Sequence, residues 1–200
     1  MRILDLLFPP REDEATLRDV SKDDFLALVA PRMVETTRPQ TIALFPFAAP
    51  SVRAAIHEAK YHGGDKALEF LGDALAEYLR DAEGIGTSVL VPVPLGALRR
   101  RERGFNQVEE VARRAANLLG RAVRSDMLVR TRETKSQISL PRREREENMR
   151  GAFRAAHPVD LASTYIIVDD VTTTGATLQA AIDALKDAGA VHITPLALAH

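Results

Sequence analysis

Two adjacent carboxylates, Asp169 and Asp170, stand between a β-branched run, Ile166 to Val168, and a turn of small residues, Thr172-Thr173-Thr174-Gly175. Ala176 and Thr177 then open an apolar-periodic helix. A strand that runs through such a turn into a helix start directs several backbone N–H groups to one point, which suits a phosphate. Acids beside that point suit the hydroxyls of a sugar, or a divalent cation held through water. A phosphorylated sugar satisfies both requirements at one strand end. A βα turn with capping threonines and two solvated acids would use the same residue types. Thr-Gly turns are common; paired acids between such a strand and such a loop are not.

The surrounding elements must place these groups at the edge of a sheet. From Thr87 onward apolar runs alternate with helical patterns. Ser88 to Val93 reads as a buried strand whose hydrogen bonding ends early at Pro92. Val108, Val111, Ala112, Ala115 and Leu118 make one stripe of a helix over Phe105 to Leu119. Short strands are expected at Met127 to Val129 and at Phe153. The helix that starts at Gly175 runs to Ala188, with Gly189 at its end, and Val191 to Leu198 closes as a strand. Strands separated by helices predict a parallel sheet covered on both faces, and ligands of such sheets lie beyond the carboxyl ends of the strands.

The first 65 residues read as a separate, small α+β segment. Ser21 is expected to cap a helix over Lys22 to Ala30 and Ser51 to cap another carrying Val52, Ile56 and Ala59. Thr41 to Phe47 reads as an edge strand because Pro46 interrupts it. Gly63-Gly64 breaks the chain before a helix over Lys66 to Arg80 with Leu68, Leu71, Leu75 and Leu79 on one face. Thr131 to Arg150 has no apolar stripe and reads as a long polar loop, a feature that in a compact domain is functional or disordered.

Composition bounds the chemistry. The 200 residues contain no cysteine, which excludes disulfides and thiolate zinc sites. No apolar run reaches the length of a bilayer span, and the start is broken too early by Asp5 and Pro9 to be a secretion signal, so a cytoplasmic protein is expected. The formal net charge is −1, unevenly spread: residues 97–150 hold fifteen Lys/Arg against eight Asp/Glu. Such a basic segment attracts polyanions, either diphosphate or nucleic acid, unless local Glu–Arg pairs such as those of Arg142 to Glu146 neutralise it.

Within it, Arg99 to Gln107 (RRRERGFNQ) sets a guanidinium, Arg103, beside the flexible Gly104; arginine's planar fork suits diphosphate. Asn106 is expected to cap the next helix, although Phe105 to Gln107 could equally face a ligand. Arg130, Arg132, Lys135, Gln137, Arg142, Arg143, Arg145 and Asn148 could close over a departing anion. Among the histidines, His57 and His62 read as ordinary helix-end residues, as does Tyr61. No GxxxxGK[ST] phosphate loop and no complete dinucleotide fingerprint occurs.

The hydrophobic–Asp169-Asp170–Thr/Gly loop resembles the phosphoribosyl-diphosphate (PRPP) signature of the type I phosphoribosyltransferases. LLFPP at Leu6 to Pro10, VRAAIHEAKYHGG at Val52 to Gly64, VPVP at Val91 to Pro94, RGFNQ at Arg103 to Gln107 and GAF at Gly151 to Phe153 are together similar to the competence-protein ComF-like branch. That resemblance implies an α/β fold with a type I phosphoribosyltransferase parallel sheet over residues 66–200 and an N-terminal hood over 1–65. It implies that Asp169 and Asp170 take the ribose and, through water, Mg²⁺, and that Thr172, Thr173, Thr174, Gly175, Ala176 and Thr177 surround the 5′-phosphate. Val93, Pro94, Leu95, Gly96, Arg99 and Arg103 are implied to hold diphosphate, with Lys135, Gln137, Arg142 and Arg145 in a lid and Lys60 reaching the anion. Members of the branch usually carry a cysteine cluster that Pro10 to Thr37 lacks, so no zinc is expected. The expected activity is transfer of a ribosyl 5-phosphate group to an unidentified nitrogen acceptor with diphosphate release, in a protein that could form a homodimer. The competing expectation is a non-catalytic DNA-uptake accessory protein that binds single-stranded DNA and retains a PRPP-type site; Phe105 is the sole aromatic between Ala97 and Arg150 to stack on bases.

Overall fold

The computed structural model describes residues 11–82, 88–132 and 142–200, with the backbone alone at 142, 143, 145 and 146. The chain order is α1 (Glu12–Arg18), α2 (Lys22–Leu26), β1 (Arg32–Val34), β2 (Thr41–Phe45), α3 (Pro50–His62), α4 (Asp65–Asp81), β3 (Ser88–Pro92), α5 (Ala97–Arg103), α6 (Gln107–Leu119), β4 (Ala122–Val123), β5 (Leu128–Arg130), α7 (Arg142–Met149), β6 (Phe153–Ala155), β7 (Thr164–Val171), α8 (Ala176–Asp187) and β8 (His192–Ala199). Six strands form one sheet in the order β1-β2-β8-β7-β3-β4, and β5 and β6 form an antiparallel pair apart from it. All pairings in the large sheet are parallel except β1 with β2.

The period-2 geometry of β7 divides the core. Ile166 and Val168 face one layer with α3, α4 and α6; Tyr165 and Ile167 face the other with α8, β5 and β6. Helices therefore cover both faces, as the alternating pattern predicts. Gly72 lets α4 and α6 approach closely, since a Cβ there would lie 2.8 Å from the Arg114 Cβ. Among the described residues no helix is long and apolar enough to cross a membrane.

Several local expectations need correction. Thr41 to Phe47 is not an edge strand: β2 lies between β1 and β8 and ends at Phe45, so Pro46 removes no ladder bond. Ser51 does not cap α3; Ala49 does, with Pro50 in the first turn where a missing N–H is harmless. Residues 131–150 are not all loop. Arg and Glu are good helix formers, and α7 occupies Arg142–Met149, its buried Met149 giving the one apolar anchor that a stripe search misses. The basic run before Gly104 is likewise helical, as α5. Ser21 does cap α2, accepting from the Asp24 N–H, and Asn106 caps α6, accepting from the Val108 N–H.

The N-terminal segment is joined to the rest through this sheet and through an aromatic cluster. Phe25 of α2 is fully buried, with ring centroids 5.2 Å from Phe45 and 4.9 Å from Phe70. Phe25→Ala should destabilise the protein by about 3–5 kcal/mol in urea unfolding. A loss below about 1 kcal/mol would show that α2 contributes no packing to the core.

Candidate active site

The acids close the carboxyl end of β7, the third strand from one edge of the sheet and the fourth from the other. Each carboxylate is tied to the backbone that follows it: the Asp170 N–H donates to Asp169 Oδ1 at 2.9 Å and the Val171 N–H to Asp170 Oδ1 at 2.7 Å. Asp170 Oδ2 also receives Gln107 Nε2 at 2.8 Å and the Lys60 ammonium at 3.2 Å. The two acids are thereby made unequal. Burial, reinforced by the neighbouring Asp170, pushes the Asp169 carboxyl up to about 7. Burial would raise Asp170 too, but Lys60, the Val171 amide and Gln107 outweigh it and hold that carboxyl below its ordinary range.

Beyond the acids the chain turns through Thr172 to Gly175 into α8. The Thr172 N–H still belongs to the sheet, donating to Ala199 O at 3.0 Å. The Thr174 and Gly175 amides have no partner among the described residues, and Thr174 Oγ1 accepts from the Ala176 N–H at 3.4 Å. Asp169 and residues 171–178 line a cup of about 30 Å³. Gly175 holds a φ of 75°, and a Cβ there would overlap the Thr36 carbonyl, so the turn from β1 to β2 packs directly on the loop. Thr36 Oγ1 also lies 3.5 Å from Thr172 Oγ1. A larger cavity, about 280 Å³, lies between Arg11, Glu58, Gly64 and Lys66. The charge of buried Glu58 at its wall is already met within the protein, since Arg11 grips it with two bonds of 2.9 and 2.8 Å.

Two distant segments, the end of α3 and the start of α6, meet on Asp170. Lys60 comes from the last turn of α3, which Gly63 ends at a φ of 61°. Phe105 packs over Gly63, where a Cβ would stand 3.2 Å from its ring. Arg103 stacks on the Tyr61 ring at 5.2 Å and donates to Gln107 Oε1 at 3.3 Å. Asn106 donates to Val93 O at 3.0 Å and so ties the end of β3 to the start of α6. The KYHGG and RGFNQ motifs thus form one wall. Val93 is buried, Pro94 and Leu95 are half-buried, and Gly96 caps α5. Arg99 lies on α5 and makes no contact with the acid pair. Lys135 and Gln137 fall outside the described residues, and Arg142 and Arg145 are described on α7 by backbone alone. Arg132 holds the end of α7, donating to the carbonyls of Arg150 at 2.8 Å and Asn148 at 3.1 Å. Gln107, Tyr61, Thr36 and His200 belong to the site's surroundings although the motifs gave Tyr61, Thr36 and His200 no role. Tyr61 and Thr36 come from the N-terminal segment, and nothing local in the sequence links them to β7.

Among the described residues no three acidic or histidine side chains gather into a metal cage. Two adjacent carboxylates suit Mg²⁺ only when ligand oxygens and water complete its octahedron. The donor set fits a cation that arrives with a phosphorylated ligand.

The phosphoribosyl transferase domain family matches residues 65–198. The chain belongs to this family, in its ComF-like branch of type I phosphoribosyltransferases. Its relatives include a protein named DNA utilization protein YhgH from Salmonella typhimurium, 32% identical over 148 residues, covering 72% of this chain and 65% of that protein. Competence protein F of Haemophilus influenzae is 30% identical over 112 residues, covering 55% of this chain and 49% of that one. The chain thus spans less than two thirds of the length of these relatives. A solved adenine phosphoribosyltransferase from Leishmania tarentolae aligns with a TM-score of 0.38 at 17% identity, over 67% of this chain and 57% of that one.

The unequal acids give a test that needs no ligand. A carboxyl whose folded pKa is raised contributes stability that is complete below about pH 4 and is lost as pH rises to about 7. Asp169→Asn removes that loss, so its melting temperature relative to wild type should climb between pH 4 and pH 7. Asp170 has the opposite sign: its contribution is present above about pH 4 and lost below. Asp170→Asn should lower the melting temperature at pH 7. Parallel shifts for the two variants would show that Lys60 and Gln107 do not distinguish the acids.

Proposed function

We propose that the protein binds PRPP and transfers its ribosyl 5-phosphate group to a nitrogen nucleophile, releasing diphosphate. The observation that carries this reading is the adjacency, on one strand end, of a carboxylate pair and a turn whose Thr174 and Gly175 amides have no partner among the described residues. The 5′-phosphate would sit in the cup of residues 172–177, taking the Thr174 and Gly175 amides and the positive end of α8. The ribose 2′- and 3′-hydroxyls would face Asp169 and Asp170. Diphosphate would extend toward Val93–Gly96, with Lys60 and Arg103 offsetting its charge.

The proposed reaction has a cation-like transition state at the anomeric carbon, and the chain contributes positioning and charge rather than a covalent nucleophile. Mg²⁺, arriving with PRPP and held through Asp169 and Asp170, would supply charge neutralisation of the diphosphate. Lys60 now spends its charge on Asp170; an incoming cation would release it toward the anion. Gln107, steadied by Arg103, keeps Asp170 in place as that exchange occurs.

Calorimetry of the full chain with PRPP and Mg²⁺ should give saturable binding, and Asp169→Asn with Asp170→Asn should weaken it at least tenfold. Unchanged affinity in the double variant would refute the ribose assignment.

A second reading has its own observation. Tyr61 is 55% exposed and carries Arg103 on its face, beside α5, where Arg99 and Arg101 have no ion-pair partner among the described residues. An exposed ring amid arginines is the combination that single-stranded nucleic acid uses, and the relatives named for DNA utilization are consistent with it. Under this reading oligonucleotide affinity should fall steeply with salt and drop on Tyr61→Ala; salt-insensitive or absent binding removes it.

A further inference from the structure

We infer that His200 is the general base that takes the proton from the acceptor nitrogen, and hence that the acceptor is an N–H compound, a nucleobase or amide, rather than a pyridine-type nitrogen. This rests on the phosphoribosyltransferase reading of the same site.

His200 follows Ala199, the β8 residue paired with Val171, which directly follows the acid pair on β7. It therefore stands at the same carboxyl end of the sheet as Asp169 and Asp170, one strand away. Its backbone is fixed on three sides. The His200 N–H donates to Phe45 O at 3.1 Å, its carbonyl accepts from the Phe47 N–H at 3.1 Å, and Arg32 Nη2 donates to that carbonyl at 2.6 Å. Its ring is fixed as well: Nδ1 lies 2.9 Å from the carbonyl oxygen of Thr172, the first residue of the phosphate turn.

A carbonyl can only accept, so Nδ1 must carry the hydrogen. The neutral ring then holds its lone pair on Nε2. Nε2 has no partner among the described residues, and the side chain is only half-buried. The result is an oriented nitrogen base, half-buried, on the strand next to the acids and at the same carboxyl end of the sheet. The acids themselves are otherwise engaged: Asp170 by Lys60 and Gln107, Asp169 with the ribose under the reading above.

The transfer needs such a group. The acceptor's lone pair forms the new N–C bond at the anomeric carbon while the C–O bond breaks, its electron pair leaving on diphosphate. The acceptor nitrogen then carries a surplus positive charge unless its N–H is removed. Nε2 takes that proton, and the resulting imidazolium, hydrogen-bonded through Nδ1 to Thr172 O, returns it to solvent.

Two measurements on the full chain test this. Long-range ¹H–¹⁵N spectra of ¹⁵N-histidine protein, with His200 assigned by its disappearance in His200→Gln, should show the Nδ1–H tautomer; the Nε2–H tautomer would overturn the proposal whether or not PRPP binds. Diphosphate release from PRPP with Mg²⁺ should then be followed with adenine, uracil and nicotinate as acceptors. His200→Gln, which can still donate to Thr172 O, should keep the melting temperature and the PRPP affinity yet release diphosphate at least tenfold more slowly with the N–H acceptors. Added imidazole should partly restore His200→Ala. Unchanged release in His200→Gln, or turnover with nicotinate alone, would overturn the base role and leave the PRPP site standing. Failure of the wild-type chain to bind PRPP at all would overturn both.

Discussion

The constraint from which the site follows is the placing of two carboxylates side by side at the end of a buried strand. Neither burial nor mutual repulsion favours that arrangement. The chain answers it unequally. Asp170 is compensated by Lys60 and Gln107, while Asp169 is left with the Asp170 amide and a raised proton affinity. One acid is thus compensated by a cation and an amide, and the other is not; under the proposed function that second acid is the one a ligand's hydroxyls or cation would meet. The stability forgone at Asp169 is of the kind that functional sites carry.

Compensation at this point draws on the whole fold. Lys60 reaches the acids because Gly63 ends α3 with Phe105 packed over it, and Gln107 reaches them because Asn106 starts α6 while holding the end of β3. The turn after β1 packs its Thr36 carbonyl against Gly175, and Arg38 N–H and Gln179 Oε1 bond at 2.8 Å along α8. The N-terminal segment therefore shapes the turn of Thr172 to Gly175 directly. β2 enters the central sheet beside β8, which makes the segment part of the site's scaffold as well as its cover.

β3, β7 and β8 and the helices α6 and α8 were legible because burial on both faces writes continuous apolar runs for strands and a single stripe for helices. The acid pair and its turn were legible because the chemistry is local in sequence. What escaped was non-local. Nothing in TIALFPF tells an interior strand from an edge one, since the distinction depends on β1 pairing across it. Nothing near Arg142 marks a helix apart from propensity, because Met149 alone anchors α7. Tyr61 gave no signal because its partner, Arg103, lies in another motif, and His200 gave none because its role depends on the β7–β8 register. The cysteine cluster that this chain lacks and the assignment of Val93 to Gly96 to diphosphate came with the family resemblance and not from spacing.

The central claim is that the cup after Asp170 holds a 5′-phosphate while the acid pair holds the ribose. A crystal structure of the full chain grown with PRPP and Mg²⁺ tests it most directly. The account predicts the 5′-phosphate on the amides of Thr174 and Gly175, the 2′- and 3′-hydroxyls on Asp169 and Asp170, and Lys60 turned away from Asp170 toward diphosphate. PRPP seated elsewhere, or bound with the Lys60–Asp170 pair intact and the cup filled by water, would contradict it.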